Sequence, residues 1–262
     1  MPNNYIDTHT HLFCEEFDND RACAVERALA GGVGRLCLPS INRASLAPLF
    51  DMCDRYKGVC YPMVGLHPTD VADDYKEQLA VMREFLATDS RVIAVGEVGL
   101  DFYWSEEFRN EQYEAFETQI GWAREMNLPL AIHSRNAFKE LVDIMDRYRG
   151  VGLSGVFHCF TGTEEEAEAL LAHEGFFLGI GGVLTYKNST LPRVLGSVPL
   201  ERLVLETDSP YLAPVPCRGK RNESAYIPYI AEALSKVYGC TPEHVAEVTT
   251  ENALRLFPKI ER

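Results

Sequence analysis

Short apolar runs alternate with helix-like stretches along the whole chain, and this alternation constrains the fold more than any single motif. Strand-like runs are read at Tyr5–Ile6, Arg35–Pro39, Tyr61–Leu66, Val92–Val98, Pro129–His133, Gly155–Phe160, Phe176–Gly181 and Arg202–Asp208. Helix-like stretches are read at Ala22–Ala30, Ala44–Arg55, Tyr75–Thr88, about Glu107–Met126, Ala137–Tyr148, Glu164–His173, 188–196, near Tyr229–Tyr238 and Pro242–Leu256. In the stretch ending at Met126, Phe116, Ile120 and Ala123 recur at helical spacing and mark a buried stripe. The strand runs are near-continuously apolar, as parallel strands covered on both faces are. Eight such strands alternating with helices predict an α/β fold of the closed (β/α)8 TIM-barrel type rather than an open doubly wound sheet. No Gly-x-Gly-x-x-Gly follows the first strand, which argues against dinucleotide binding. With 262 residues and no linker or low-complexity segment, residues 1–262 are expected to form a single barrel domain.

Composition removes several classes of function. No apolar run reaches the length of a membrane span, and residues 1–25 lack the basic-then-apolar pattern of an export signal. The eight cysteines are scattered, with no Cys-x-x-Cys pair, so a zinc knuckle is not indicated. Cys14 and Cys159 fall near candidate ligands but off the alternation that places the histidines, and are read as structural. A cytoplasmic protein with no membrane association and no obligate protein partner is expected. The formal charge is −14, so a polyanion would have to be held by a local site rather than by bulk attraction.

Barrel enzymes build their sites at the C-terminal ends of their strands. Side chains on a strand alternate faces, so His9 and His11 point the same way and can hold one divalent metal. The polar residues at the other strand ends are His67, Glu97, His133, His158 and Asp208. Five of the seven histidines therefore converge on one barrel mouth, while His173 and His244 are read as solvated helix residues. His9, His11, Glu97 and Asp208 can hold one ion. His133, His158 and Glu97 can hold a second, with Glu97 bridging. The mixed nitrogen and oxygen donors suit two divalent ions such as zinc, manganese or magnesium rather than calcium.

These residues carry a resemblance. The sequence resembles the TatD-type metal-dependent deoxyribonucleases of the amidohydrolase superfamily over nearly the whole chain. It does so in the motifs Asp7-Thr8-His9-Thr10-His11, Gly65-Leu66-His67-Pro68, Gly96-Glu97-Val98-Gly99-Leu100-Asp101, Ile132-His133-Ser134-Arg135, His158-Cys159-Phe160, Glu206-Thr207-Asp208-Ser209-Pro210-Tyr211-Leu212 and Arg218-Gly219-Lys220-Arg221-Asn222-Glu223. The resemblance implies a barrel, two divalent metals, phosphodiester hydrolysis on DNA, and His9, His11, Glu97, His133, His158 and Asp208 as ligands. Many superfamily relatives bridge their metals with a carbamylated lysine. Glu97 in that role favours the nuclease branch. One departure is Ser224, where the family usually has proline after the Asn-Glu pair.

The remaining roles follow from position. Asp208 is expected to act as general base orienting the attacking water, with Glu97 as its catalytic companion. Arg218, Lys220 and Arg221, packed into the loop after the eighth strand, and Arg135 are expected to contact phosphate. His67 is placed outside the six ligands, bonding a phosphate oxygen or the leaving group. Asp7 is read as a supporting residue, and Glu206 as orienting the site from one layer deeper. The main rival is a superfamily hydrolase acting on a small phosphoester, lactone or amide. A non-catalytic binding module is the second.

Overall fold

The structure, a computed structural model, describes residues 5–261. Eight strands are present among them: β1 (Tyr5–Asp7), β2 (Val33–Pro39), β3 (Cys60–Met63), β4 (Val95–Asp101), β5 (Leu130–Arg135), β6 (Gly155–Phe157), β7 (Phe176–Ile180) and β8 (Leu203–Leu205). Between and after them run α1 (Arg21–Ala30), α2 (Leu46–Arg55), α3 (Tyr75–Thr88), α4 (Arg109–Met126), α5 (Phe138–Arg147), α6 (Glu164–Leu171), α7 (Leu191–Leu195), α8 (Ile227–Tyr238) and α9 (Pro242–Leu256). All regular pairing is parallel, in the orders β1-β2-β3 and β4-β5-β6-β7-β8.

Two seams close the barrel through irregular backbone. Between β3 and β4, Ile93 N donates to Pro62 O at 2.9 Å and Gly96 N to Val64 O at 3.1 Å. Between β8 and β1, Thr8 N donates to Leu205 O at 3.0 Å, Asp208 N to His9 O at 2.9 Å and His11 N to Ser209 O at 2.7 Å. The expected α/β barrel is therefore observed.

Alternation along the strands sorts the core into two parts. Leu36, Leu38, Val98, Leu100, Ile132, Ile180 and Leu205 face outward and pack with the helices. Cys37, Met63, Ala131, Val156, Phe177 and Val204 face inward and pack with Leu256, Phe257 and Ile260 at the end of the chain. Each fully buried valine, leucine, isoleucine, methionine or phenylalanine among them contributes about 1.5–3 kcal/mol. Counting two residues onward from the inner layer places His133 after Ala131, His158 after Val156 and Glu206 after Val204. The barrel thus carries a dry apolar plug at one end and polar side chains at the other.

Strand limits differ from the sequence reading for identifiable reasons. β4 runs on to Asp101 because Gly99, Leu100 and Asp101 keep pairing with His133, Ser134 and Arg135. Gly99 is required there: its φ is +137°, and a Cβ would collide with the His133 carbonyl. β6 and β8 stop early, because Cys159 (φ +50°) and Asp208 (φ +55°) leave the extended region. α8 starts two residues before the expected Tyr229, with Pro228 in its first turn, where the missing N–H costs nothing.

His173 is a correction. The sequence pattern places it as a solvated helix residue, but α6 ends at Leu171 and His173 is buried beyond it. Arg202 donates to the Leu171 and His173 carbonyls and holds the chain inward. His244 is exposed on α9, as expected. Burial, with Arg149, pushes the His173 imidazole below its ordinary value of 6.5, and Asp146, 3.4 Å from Nε2, only partly opposes this. The native state therefore favours the neutral ring, whereas the unfolded chain takes up a proton near 6.5. The stability tied to the neutral ring should be lost as pH falls below about 6.5. His173→Gln should make the unfolding free energy less pH-dependent between pH 7 and 5 in denaturant titrations. Identical pH slopes for wild type and variant would refute this.

Candidate metal centre

The site is assembled across the β8–β1 seam. The buried Asp7 carboxylate accepts Thr207 Oγ1 at 2.6 Å, Thr207 N at 2.9 Å and His9 N at 3.3 Å. Burial pushes the Asp7 carboxyl up to about 7, opposed by those hydrogen bonds and one from Ser224. Asp7 is thus committed to pinning two chain segments together, consistent with a supporting role. Ser224, at the family's proline position, uses its hydroxyl in the same network, 3.3 Å from Thr10 Oγ1, which in turn meets Ser209 Oγ at 2.6 Å. Asn222 secures the following loop by donating to the Thr207 and Tyr211 carbonyls.

Seven strand-end side chains converge, and Glu97 lies at their centre. Its Oε2 is 3.0 Å from His9 Nε2 and 3.5 Å from His11 Nε2. Asp208 Oδ1 completes that set at 3.9 Å from His9 Nε2 and 3.6 Å from His11 Nε2, with the two ring nitrogens 3.3 Å apart. The other oxygen, Oε1, is 2.8 Å from His158 Nε2, 3.1 Å from His133 Nδ1 and 3.2 Å from His67 Nε2. His133 Nδ1 and His158 Nε2 are 3.2 Å apart. Donor atoms about 2.0–2.2 Å from one shared ion in a tetrahedral site are separated by about 3.3–3.6 Å. The Oε2 set, at 3.0–3.9 Å, brackets that spacing and the Oε1 set, at 2.8–3.2 Å, is slightly tighter; both are made of imidazole and carboxylate, so the residues fit divalent ions on either side of Glu97.

Charge distribution agrees with this. Burial would raise the Glu97 carboxyl, but His158, His67, His9 and His11 outweigh it and hold Glu97 well below the usual carboxylate range. Burial likewise opposes ionisation of Asp208, and His11, His158 and His9 keep it depressed. For His11 the order reverses: burial disfavours its charge, yet Asp208 and Glu97 raise it to about 9. The buried Glu97 and the partly buried Asp208 are thus held ionised by the surrounding rings, a potential that favours cations at the same point.

Partners behind the rings orient them. Asp101 Oδ2 lies 2.9 Å from His133 Nε2, which turns His133 Nδ1 toward Glu97. The sequence reading gave Asp101 no role, although alternation along β4 puts it on the Glu97 face. Glu206 sits fully buried below His158, its Oε1 3.6 Å from His158 Nδ1 and bonded by Cys159 N. Gly179 makes room for it, since a Cβ there would collide with the carboxylate. Glu206 therefore has the deeper orienting position expected of it. Thr69 N donates to His67 Nδ1, which leaves the proton on Nε2, facing Glu97. His67 lies closer to the cluster than a peripheral residue would, inside one of the donor groups together with Glu97 and His133.

The basic residues divide. Arg135 stacks over Tyr103, and Arg218 over Tyr186. Lys220 is exposed. Arg221 departs from its expected role as a phosphate contact. Its guanidinium makes a bidentate pair with Asp20 at 2.7 and 2.8 Å, donates to Glu16 O and covers the Phe17 ring. Asp20 and Glu223 also pair with Arg27, so this stretch staples the β8 loop to α1. Arg221→Ala should cost about 0.5–1 kcal/mol of stability, the scale of a half-exposed pair. Affinity for oligonucleotides should stay within about twofold. A tenfold loss of affinity in a filter-binding assay would return Arg221 to the phosphate-binding set.

Comparison with known proteins agrees with this geometry. A family model described as TatD related DNase matches residues 6–258. The chain is 40% identical over 253 residues to the Bacillus subtilis (strain 168) protein named uncharacterized metal-dependent hydrolase YabD, covering 96% of this chain and 98% of that protein. It is 34% identical over 261 residues to the 3'-5' ssDNA/RNA exonuclease TatD of Cronobacter sakazakii, covering 97% and 98%. The crystal structure of YJJV, a TatD homolog from Escherichia coli, shares the fold with a TM-score of 0.92 at 27% identity, over 98% of this chain and 99% of that one. With that match over nearly its whole length and with Glu97 set between two groups of imidazoles, the chain belongs to the TatD-related DNase family of metal-dependent hydrolases.

Proposed function

We propose that this protein is a nuclease whose single barrel domain uses two divalent ions, zinc, manganese or magnesium, to hydrolyse phosphodiester bonds in DNA. The observation that carries this reading is the division of Glu97: Oε2 faces His9 and His11, which Asp208 also meets, whereas Oε1 faces His133, His158 and His67. When bound, paired ions in such a site polarise a phosphoryl oxygen and make water acidic. The six residues His9, His11, Glu97, His133, His158 and Asp208 would hold them.

The chain's own residues supply the rest. Asp208, held ionised by the neighbouring imidazoles, accepts the proton of the attacking water and orients it toward phosphorus. His67, whose Nε2 proton faces Glu97 here, would turn that proton to a phosphoryl oxygen or to the leaving group once substrate is present. Asp101 keeps the His133 ring in the productive tautomer, and Glu206 places a carboxylate oxygen 3.6 Å from His158 Nδ1. Arg135, Arg218 and Lys220 contact flanking phosphates. In a chain of net charge −14 these few contacts replace a basic face. No described helix is long and apolar enough to cross a membrane, and all eight cysteines are free, which supports work in the reducing cytoplasm.

The deciding experiment is hydrolysis of end-labelled single-stranded and duplex DNA by chelator-stripped protein. Activity should be absent after stripping and return with added Mn²⁺, Mg²⁺ or Zn²⁺, with about two ions bound per chain by elemental analysis. Cleavage that survives stripping would remove the metal from the reaction. Turnover confined to a small ester, lactone or amide would favour the rival reading.

A further inference from the structure

We propose that Tyr103 and Trp104, backed by Arg135, form a stacking platform for an unpaired base of the substrate strand next to the scissile phosphate. The proposal rests on the nuclease reading above and adds the feature of the substrate that the site selects. Just past β4 the chain turns and presents two adjacent aromatic side chains to solvent, Tyr103 at 51% and Trp104 at 69% exposure. Packing of the barrel does not require them there, since the core already holds its aromatics buried. Their rings meet edge to face with centroids 4.9 Å apart. The Arg135 guanidinium lies 3.7 Å from the Tyr103 centroid and 5.2 Å from that of Trp104. An exposed indole beside a stacked guanidinium is the chemistry that accepts the face of a nucleobase and the charge of its phosphate.

Position relative to the metal centre makes this more than an exposed patch. Asp101 Oδ1 accepts Tyr103 N at 2.9 Å and Trp104 N at 3.4 Å, while Oδ2 of the same carboxylate holds His133. One side chain therefore fixes both the platform and a candidate ligand. Arg135 pairs with Asp101 across β5 and β4 and stands two residues beyond His133. Two strand residues span roughly 7 Å, about the reach from one phosphate to the neighbouring base. Trp104 also lines a narrow cleft of about 60 Å³ with Pro68 and Thr69, the residues that follow His67. The platform thus lies against two of the loops that carry the site.

The acidic chain supplies the physical need. With a net charge of −14 it cannot hold a polyanion by bulk attraction, whereas base stacking is insensitive to net charge and tolerant of sequence. A base inside a duplex is already stacked on both faces. The platform is open only to unpaired bases, so single strands and frayed ends are the substrates it selects.

The test uses the metal-loaded enzyme and a single-stranded oligodeoxynucleotide, with an oligonucleotide of equal length carrying abasic residues as the comparison. Trp104→Ala should raise KM for the normal strand by on the order of 10- to 100-fold, the usual effect of losing one stacked base, and leave kcat nearly unchanged. KM for the abasic strand should not move. Trp104→Phe keeps an aromatic face and should recover most of the loss. Only two tryptophans are present, so in a Trp122→Phe background the fluorescence of Trp104 should be quenched by the single strand and not by blunt duplex. An unchanged KM for Trp104→Ala, or equal losses on the normal and abasic strands, would overturn the platform while leaving the nuclease reading intact. Failure of the wild type to cleave any nucleic acid with any metal would overturn both.

Discussion

Replacing Glu97 by alanine is expected to abolish hydrolysis and strip the protein of metal while leaving it folded. Glu97 meets both donor groups, one oxygen to each, so its loss should open both at once. Removing an outer partner of a metal ligand typically costs 10–100-fold in affinity, and loss of the shared carboxylate should exceed that range. Activity should fall by on the order of 10³-fold or more. The fold should survive because the side chain contributes to neither apolar cluster, and the bond from Glu97 N to Ser40 O is made by backbone. Elemental analysis, circular dichroism and DNA cleavage on one preparation separate the outcomes. A folded Glu97→Ala protein with two bound ions and near-wild-type turnover would contradict the bridging role.

Asp208→Asn is expected to act more selectively, slowing hydrolysis by about 10²–10⁴-fold, the range for loss of a general base. The substitution is informative because of backbone geometry. Asp208 has φ +55°, a region that asparagine adopts nearly as readily as aspartate. Its N–H bond to His9 O and its carbonyl bond from Tyr211 N should therefore persist. Asp208→Ala should show the same catalytic loss with about 1–2 kcal/mol of added destabilisation, because a left-handed residue with an ordinary Cβ is strained. KM for single-stranded DNA should change little in the asparagine variant, since charge leaves the water and not the strand. Retention of more than about a tenth of the wild-type turnover would exclude Asp208 as the base.

Much of the architecture was legible in the chain itself. Near-continuous apolar runs separated by helical periodicity report parallel strands covered on both faces, and that is a local property of sequence. Alternation along a strand is equally local, so it puts His9 with His11, and the polar residues two positions beyond Ala131, Val156 and Val204, on one face from sequence alone. The resemblance to the family ordered the same residues. Element ends were read less well. Pairing of β4 continues past its apolar run, and β6 and β8 are cut short by left-handed residues that no hydrophobic pattern reports.

Other features depend on partners far away in sequence. Arg221 reads as a phosphate contact from its loop alone, but Asp20, 201 positions earlier, occupies its guanidinium. His173 sits on a polar helix by pattern, but Arg202 draws the segment inward and buries it. Asp101 gains its role only because β5 pairs beside β4 and brings His133 within 2.9 Å. Closure across β8 and β1 rests on Asp7 meeting Thr207, 200 residues apart. Strand periodicity and residue type are written into neighbouring positions, and so the sequence by itself determined which side chains could line the barrel mouth. Which oxygen of Glu97 faces which rings, and which arginines are taken up by acidic partners, was decided by the tertiary structure, because only the closed barrel brings those atoms within hydrogen-bonding distance.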